Sequence, residues 1–122
     1  MRRRVTETDI ARLVDGFYDR VREHPTLAPV FDARVENEDW PEHLAKMKRF
    51  WSTVLLGTGR YRGNPMTAHE SIPGVSRAHF ADWLSLFEDV VHDVFATEVA
   101  AAIVQRAHRM GDSLMANLRL AD

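Results

Sequence analysis

Cysteine is absent from the 122 residues. Its absence excludes disulfides, thiolate nucleophiles, cysteine-ligated zinc, iron–sulfur clusters and thioether attachment of a cofactor. A metal held by this chain therefore needs histidine or carboxylate ligands. A dominant charge is also missing: 16 basic and 18 acidic side chains leave a formal charge of −2, with both signs interspersed. Such a balance gives no general attraction to nucleic acid or to an anionic membrane. Long apolar runs are missing too, since no stretch approaches the roughly 18 consecutive apolar residues that span a bilayer. The opening Met1-Arg2-Arg3-Arg4-Val5 is followed by Thr6-Glu7-Thr8-Asp9, not by the apolar core of a signal peptide. The expectation is a cytoplasmic protein without membrane or nucleic-acid partners, with residues 1–5 as a flexible, solvated tail.

Several catalytic motifs are absent as well. No His-x-x-x-His pair, H-E-x-x-H, G-x-S-x-G or P-loop occurs, and Gly57-Thr58-Gly59 has neither a third glycine nor a preceding strand. Alternating β patterns, internal repeats and low-complexity segments are not found. The hydrophobic fraction of 45% is enough for one core, and residues 1–122 read as a single domain.

Helical periodicity runs through most of the chain. A capping-box pattern at Thr6–Asp9 precedes Ile10, Leu13, Val14, Phe17 and Val21 on one face, and His24-Pro25 ends that helix. Residues 26–38 predict a compact corner with short helical turns and Phe31 turned inward. From about Glu38 a second helix carries Leu44, Met47, Trp51, Val54 and Leu55, with His43, Met47, Phe50 and Val54 on a neighbouring stripe. The span from Leu56 to Pro65 breaks it, with three glycines and a proline. A short helix from Pro65 would carry Met66 and His69. Ser76 is placed to cap a helix lined by Phe80, Trp83, Leu84, Phe87, Val91 and Val94. Thr97 is placed to cap the last, lined by Val99, Ile103, Ala107, Met110, Leu114 and Leu118. The fold class is all-α.

Six histidines carry the chemistry on offer, and most histidines are surface or satisfied core residues. His24 is expected to complement a helix dipole as an imidazolium. His92 and His108 fall at exposed positions, and His79 lies near a helix start, where a structural role is expected. His43 and His69 stand on or beside apolar stripes, separated by the glycine-rich break. Two facing helices with one inward histidine each make a slot for a flat cofactor, and haem fits it. Aromatic side chains at helical spacing usually just fill a core, so spacing alone leaves a plain helical bundle the commoner reading.

The runs Phe17-Tyr18-Asp19-Arg20-Val21-Arg22, Pro29-Val30-Phe31 and Phe50-Trp51-Ser52-Thr53-Val54-Leu55-Leu56-Gly57 change that balance. They continue through Tyr61-Arg62-Gly63-Asn64-Pro65-Met66 to His69, and through His79-Phe80-Ala81-Asp82-Trp83-Leu84-Ser85-Leu86-Phe87. Over roughly Thr8 to Leu118 the chain resembles the truncated haemoglobins, specifically group III, the P group. The resemblance implies a shortened globin fold, a two-over-two helical sandwich around non-covalent haem b. It implies His69 as the proximal iron ligand and a structural role for His79. It also implies a distal pocket of Tyr18, His43, Met47 and Trp83. His43 is left as a gate, a donor to the ligand or a sixth iron ligand. Phe31 and Phe17 match cofactor-wall positions, and Phe50, Trp51 and Met66 are further wall candidates. Arg60 and Tyr61, with Lys46 and Arg49 nearby, are candidates for the propionates.

Three functions are open at this point. The first is a binder of a diatomic gas ligand (O2, CO or NO). The second is a haem enzyme of peroxidase-like or NO-dioxygenase-like type, which needs a reductase as electron donor. The third is a haem-free helical interaction module. Oligomeric state is not encoded in any motif.

Overall fold

The computed structural model describes residues 5–63 and 76–118. Among these residues there is no strand, and five α-helices follow one another: α1 (Glu7–Val21), α2 (Leu27–Asp32), α3 (Trp40–Leu56), α4 (Arg77–Val94) and α5 (Thr97–Leu118). A 3-10 turn over Asn37–Asp39 leads into α3. The all-α class is as the sequence predicts, and no described helix is long and apolar enough to cross a membrane.

Local chemistry sets most boundaries. The Asp9 amide donates to Thr6 Oγ1 at 3.1 Å, and the Thr6 amide donates to the Asp9 carboxylate at 3.1 Å. This reciprocal box satisfies two amides that a helix start otherwise leaves orphaned. The predicted stripe Ile10, Leu13, Val14, Phe17 and Val21 is no more than 1% exposed. After α1 stops, His24 Nδ1 accepts from the amides of Thr26 at 3.2 Å and Leu27 at 3.3 Å. A ring nitrogen that accepts carries no proton. His24 thus holds the start of α2 through Nδ1, where the sequence had placed it in the service of the end of α1.

Pro41 lies in the first turn of α3, where its missing N–H costs nothing. At the other end Gly57 adopts φ 68° and ψ 28°, a left-handed cap whose amide bonds the Thr53 carbonyl at 3.0 Å. The guanidinium of Arg106, from α5, donates to the Val54 carbonyl. Two of the last carbonyls of α3 are thereby satisfied. Ser76 caps α4 in a box with His79. Thr97, in contrast, is the first helical residue of α5, not its cap: the Ala100 amide bonds the carbonyl of Ala96 at 2.8 Å.

Only Phe95 and Ala96 link α4 to α5, and the two helices pack together as a hairpin. Gly111 permits the approach, because a Cβ there would stand 3.3 Å from Leu84 Cδ1. Helix α1 packs on α4 and on α3. The buried cluster between them centres on Phe17, Leu13, Val14, Phe87, Val91 and Trp51. Each such side chain contributes roughly 1.5–3 kcal/mol on burial.

Candidate functional site

Four aromatic rings from three helices meet at one end of α1. Tyr18 contributes a ring that is 5% exposed, because it adjoins the core residue Phe17 on the inward side of α1. The His43 ring stands 5.2 Å from that of Tyr18 at 88°. Trp40, one helical turn before His43 on α3, lies 5.3 Å from it, also at 88°, and 5.9 Å from Tyr18. Phe31 of α2 closes the group at 5.7 Å from Tyr18 and 6.2 Å from His43. The distances are those of edge-to-face packing, which ring quadrupoles favour.

The polar atoms of this cage are unusual. His43 Nε2 and Trp40 Nε1 are buried without a hydrogen-bond partner among the described residues. Buried polar atoms are normally paired, so each such orphan calls for a physical account. Burial lowers the His43 pKa, and the nearby positive charge of Lys46 lowers it further, so the ring is neutral at neutral pH. Burial raises the phenol pKa of Tyr18, which keeps its proton on oxygen. The cage therefore holds a protonated phenol, a neutral imidazole and an indole N–H, with no full charge inside.

A second run of rings continues from Tyr18. Phe17 meets Tyr18 at 5.0 Å and Trp83 at 4.9 Å, both edge-on. Phe87 is stacked between Trp83 at 4.8 Å and Trp51 at 4.9 Å. Phe50 bridges Trp51 at 5.3 Å and Tyr61 at 5.0 Å. Met47, half-buried on α3, packs on the same core. The structure thus brings together Phe17, Tyr18, Phe31, His43, Met47, Phe50, Trp51, Tyr61 and Trp83, all singled out from sequence.

Other expected contributors lie elsewhere. His69 and Met66 fall in 64–75, outside the described residues. Arg60 is paired with Glu7 at 2.9 Å, and Arg49 with Glu42 at 3.1 Å, so both guanidiniums already hold a carboxylate. The same Glu7 oxygen accepts from Ser52 Oγ at 2.9 Å, and Ser52 Oγ also bonds Thr58 Oγ1 at 2.8 Å. One carboxylate thereby ties the start of α1 to the end of α3 and to the loop beyond it. Tyr61 is anchored through its amide to Thr53 Oγ1 at 2.9 Å.

The remaining histidines take structural or surface positions. His79 Nδ1 accepts from the Ser76 amide at 3.1 Å, which puts the ring proton on Nε2. A metal-bound histidine ordinarily shows the reverse, donating from its second nitrogen. His92 and His108 are exposed, the latter 3.8 Å from Glu88. No group of three histidine or carboxylate side chains could hold a metal ion among the described residues. Sequence reasoning missed Trp40 as a member of the cage. Its spacing three residues before His43 was the available signal.

The bacterial-like globin family matches residues 5–116 of this chain. A group 3 truncated haemoglobin, ctb, of Campylobacter jejuni is 37% identical over 105 residues, covering 84% of this chain and 83% of that protein. The chain is a group III truncated haemoglobin. Another relative, the group 2 truncated haemoglobin YjbI of Bacillus subtilis, is 34% identical over 94 residues, covering 74% of this chain and 67% of its own. Superposition of this truncated haemoglobin on the crystal structure of the group III protein from Campylobacter jejuni gives a TM-score of 0.89 at 34% identity, with 93% and 91% of the two chains covered. The oxygen-avid truncated haemoglobin of Bacillus subtilis gives 0.75 at 28% identity, with 90% and 93% covered. Membership in the globins makes this a haem protein, and an aromatic lining without full charge is the kind of wall against which a flat apolar group packs.

Proposed function

We propose that this truncated haemoglobin binds haem b without covalent attachment, with His69 as the proximal ligand. A diatomic ligand (O2, CO or NO) is held on the distal side by Tyr18, His43, Met47 and Trp83. The absence of cysteine supports non-covalent binding, and the commitment of His79 Nδ1 as an acceptor supports His69 over His79. Haem supplies the iron that takes the gas and a flat apolar body to pack.

The observation that carries the reading is the orphaned Nε2 of His43 facing the same cage as the buried Tyr18. Leaving such an atom unpaired costs about 1–3 kcal/mol. A fold that keeps it beside a protonated phenol holds hydrogen-bonding capacity in reserve for a guest. Tyr18 and Trp83 donate to the polar end of that guest, while Met47 bounds its apolar side. Phe17, Phe31, Phe50, Trp51, Met66 and Tyr61 supply the walls. For Arg60 to serve a propionate, it must leave or share Glu7.

The visible spectrum of the purified protein tests this. A Soret band is expected, and after reduction with dithionite it should shift on exposure to CO. The reduced spectrum before CO reports whether His43 occupies the sixth position. Absence of a Soret band, even after haemin is added, overturns the reading and leaves a helical module.

A further inference from the structure

The chain that follows α3 turns on glycine. Gly57 and Gly59 hold φ of 68° and 69°, and a Cβ at Gly63 would collide with the Tyr61 hydroxyl. Glycine brings conformational freedom that something else has to restrain. Three bonds do so here: Thr58 Oγ1 meets Ser52 Oγ at 2.8 Å, Arg60 pairs with Glu7 at 2.9 Å, and the Tyr61 amide donates to Thr53 Oγ1 at 2.9 Å. Two of the three lead to one carboxylate, because Ser52 Oγ also donates to Glu7 Oε2 at 2.9 Å. A carboxylate only accepts and a hydroxyl has one proton, so Thr58 donates to Ser52 and Ser52 to Glu7. The Arg60–Glu7 pair is about half exposed and weak by itself. The bond from Ser52, which is 0% exposed, runs to an ionised acceptor and is the one that holds the carboxylate in place.

We propose that Glu7 is a positioning residue for the cofactor site, acting on Tyr61 through residues 57–61. Glu7 precedes Tyr18 by three turns of α1, about 16 Å along the axis, so it works at a distance from the Tyr18–His43 cage. Nor is its carboxylate needed to start α1, since Thr6 and Asp9 close that cap between them. Instead it fixes Thr58 and Arg60, and the chain they hold brings Tyr61 onto Phe50, with ring centres 5.0 Å apart at 89°. Thr53, which receives the Tyr61 amide, is itself turned back on α3, donating to the Arg49 carbonyl at 3.0 Å. The place of Tyr61 beside Phe50 is thus set from the start of α1 as well as from α3. That this pair of rings walls a haem rests on the function proposed above. The tether itself rests on the hydrogen bonds alone.

The test joins two readings on the protein as purified: hydrogen exchange of the Tyr61 amide, followed by nuclear magnetic resonance on the ferrous CO form, and the rate at which haem passes to an excess of apomyoglobin. Glu7→Ala is expected to speed Tyr61 exchange about tenfold, the factor that loss of one hydrogen bond to a charged group implies. Haem loss should quicken severalfold in the same variant. Glu7→Gln, which keeps an oxygen for both donors, is expected to restore most of each. Val91→Ala opens a cavity in the core on α4 and is the control, with stability lost and neither reading moved. Unmoved Tyr61 exchange in Glu7→Ala overturns the tether. Faster exchange with haem loss no faster than in Val91→Ala overturns the positioning role. If Glu7→Ala does not fold, Arg60→Ala removes the exposed half of the tether and is judged by the same two readings. A protein without a Soret band overturns the functional reading, and Tyr61 exchange in that protein still judges the tether.

Discussion

Tyr18 and His43 stand edge to face, ring centres 5.2 Å apart and planes at 88°, although one comes from α1 and the other from α3. The geometry joins a hydroxyl donor and an imidazole in one buried space, and it makes the contribution of each separable by substitution.

Tyr18→Phe removes the hydroxyl and keeps the ring that packs on Phe17 and Phe31. Loss of one hydrogen bond of about 1 kcal/mol corresponds to roughly fivefold faster O2 release. Displacement of O2 by CO in a stopped-flow instrument measures it, and an unchanged rate removes Tyr18 from the ligand's partners. Trp83→Phe is expected to accelerate release by a similar factor, while its stack on Phe87 is partly retained.

The same buried phenol predicts an alkaline effect. The Tyr18 pKa in the folded protein is raised above its usual value of about 10. The unfolded chain therefore loses this proton first. Stability is fully present below pH about 10 and falls as pH rises above it. Urea midpoints at pH 9 and at pH 11 should differ more in the wild type than in Tyr18→Phe.

His69→Ala should abolish haem retention or weaken it severely, as judged by the Soret absorbance remaining after gel filtration. His79→Ala should keep its haem and lose about 1 kcal/mol of stability, because His79 closes the cap of α4 with Ser76. The opposite pattern assigns the iron to His79.

Ser52 is fully buried and bonds the Glu7 carboxylate and Thr58. Ser52→Ala takes a donor from a charged acceptor and should cost about 1.5–3 kcal/mol. Denaturant unfolding measures the loss. Arg20→Ala, which breaks an exposed pair with Asp93, serves as the control and should cost less than about 1 kcal/mol.

Much of this arrangement is written in local pattern. The Thr6–Asp9 box, the apolar stripe of α1, Pro41 at the start of α3 and Gly57 at its end follow from residue type and spacing, and each occurs where expected. His43 stood out by its place on an apolar stripe, whereas Tyr18 and Trp83 were given a ligand-binding role by resemblance to a family, because periodicity alone makes them ordinary core residues. What depends on contact between distant segments was not legible. The pairing of Arg60 with Glu7 joins residues on either side of α3, and nothing near Arg60 in sequence announces it. His24 was misread because its partners, the amides of Thr26 and Leu27, become acceptor-seeking only once α2 forms. Trp40 lies outside the apolar stripes read from the sequence, and its place beside His43 shows only once the start of α3 meets Tyr18 and Phe31.

The two-residue link between α4 and α5 has a bearing on assembly order. Contacts within that hairpin close a short loop, whereas Arg20 reaches Asp93 across a separation of 73 residues and Ser52 reaches Glu7 across 45. Loop-closure entropy must be met before such distant contacts repay it. The hairpin is therefore the early-forming part of the chain, and the space around His43, which needs α1, α2 and α3 gathered, is completed late.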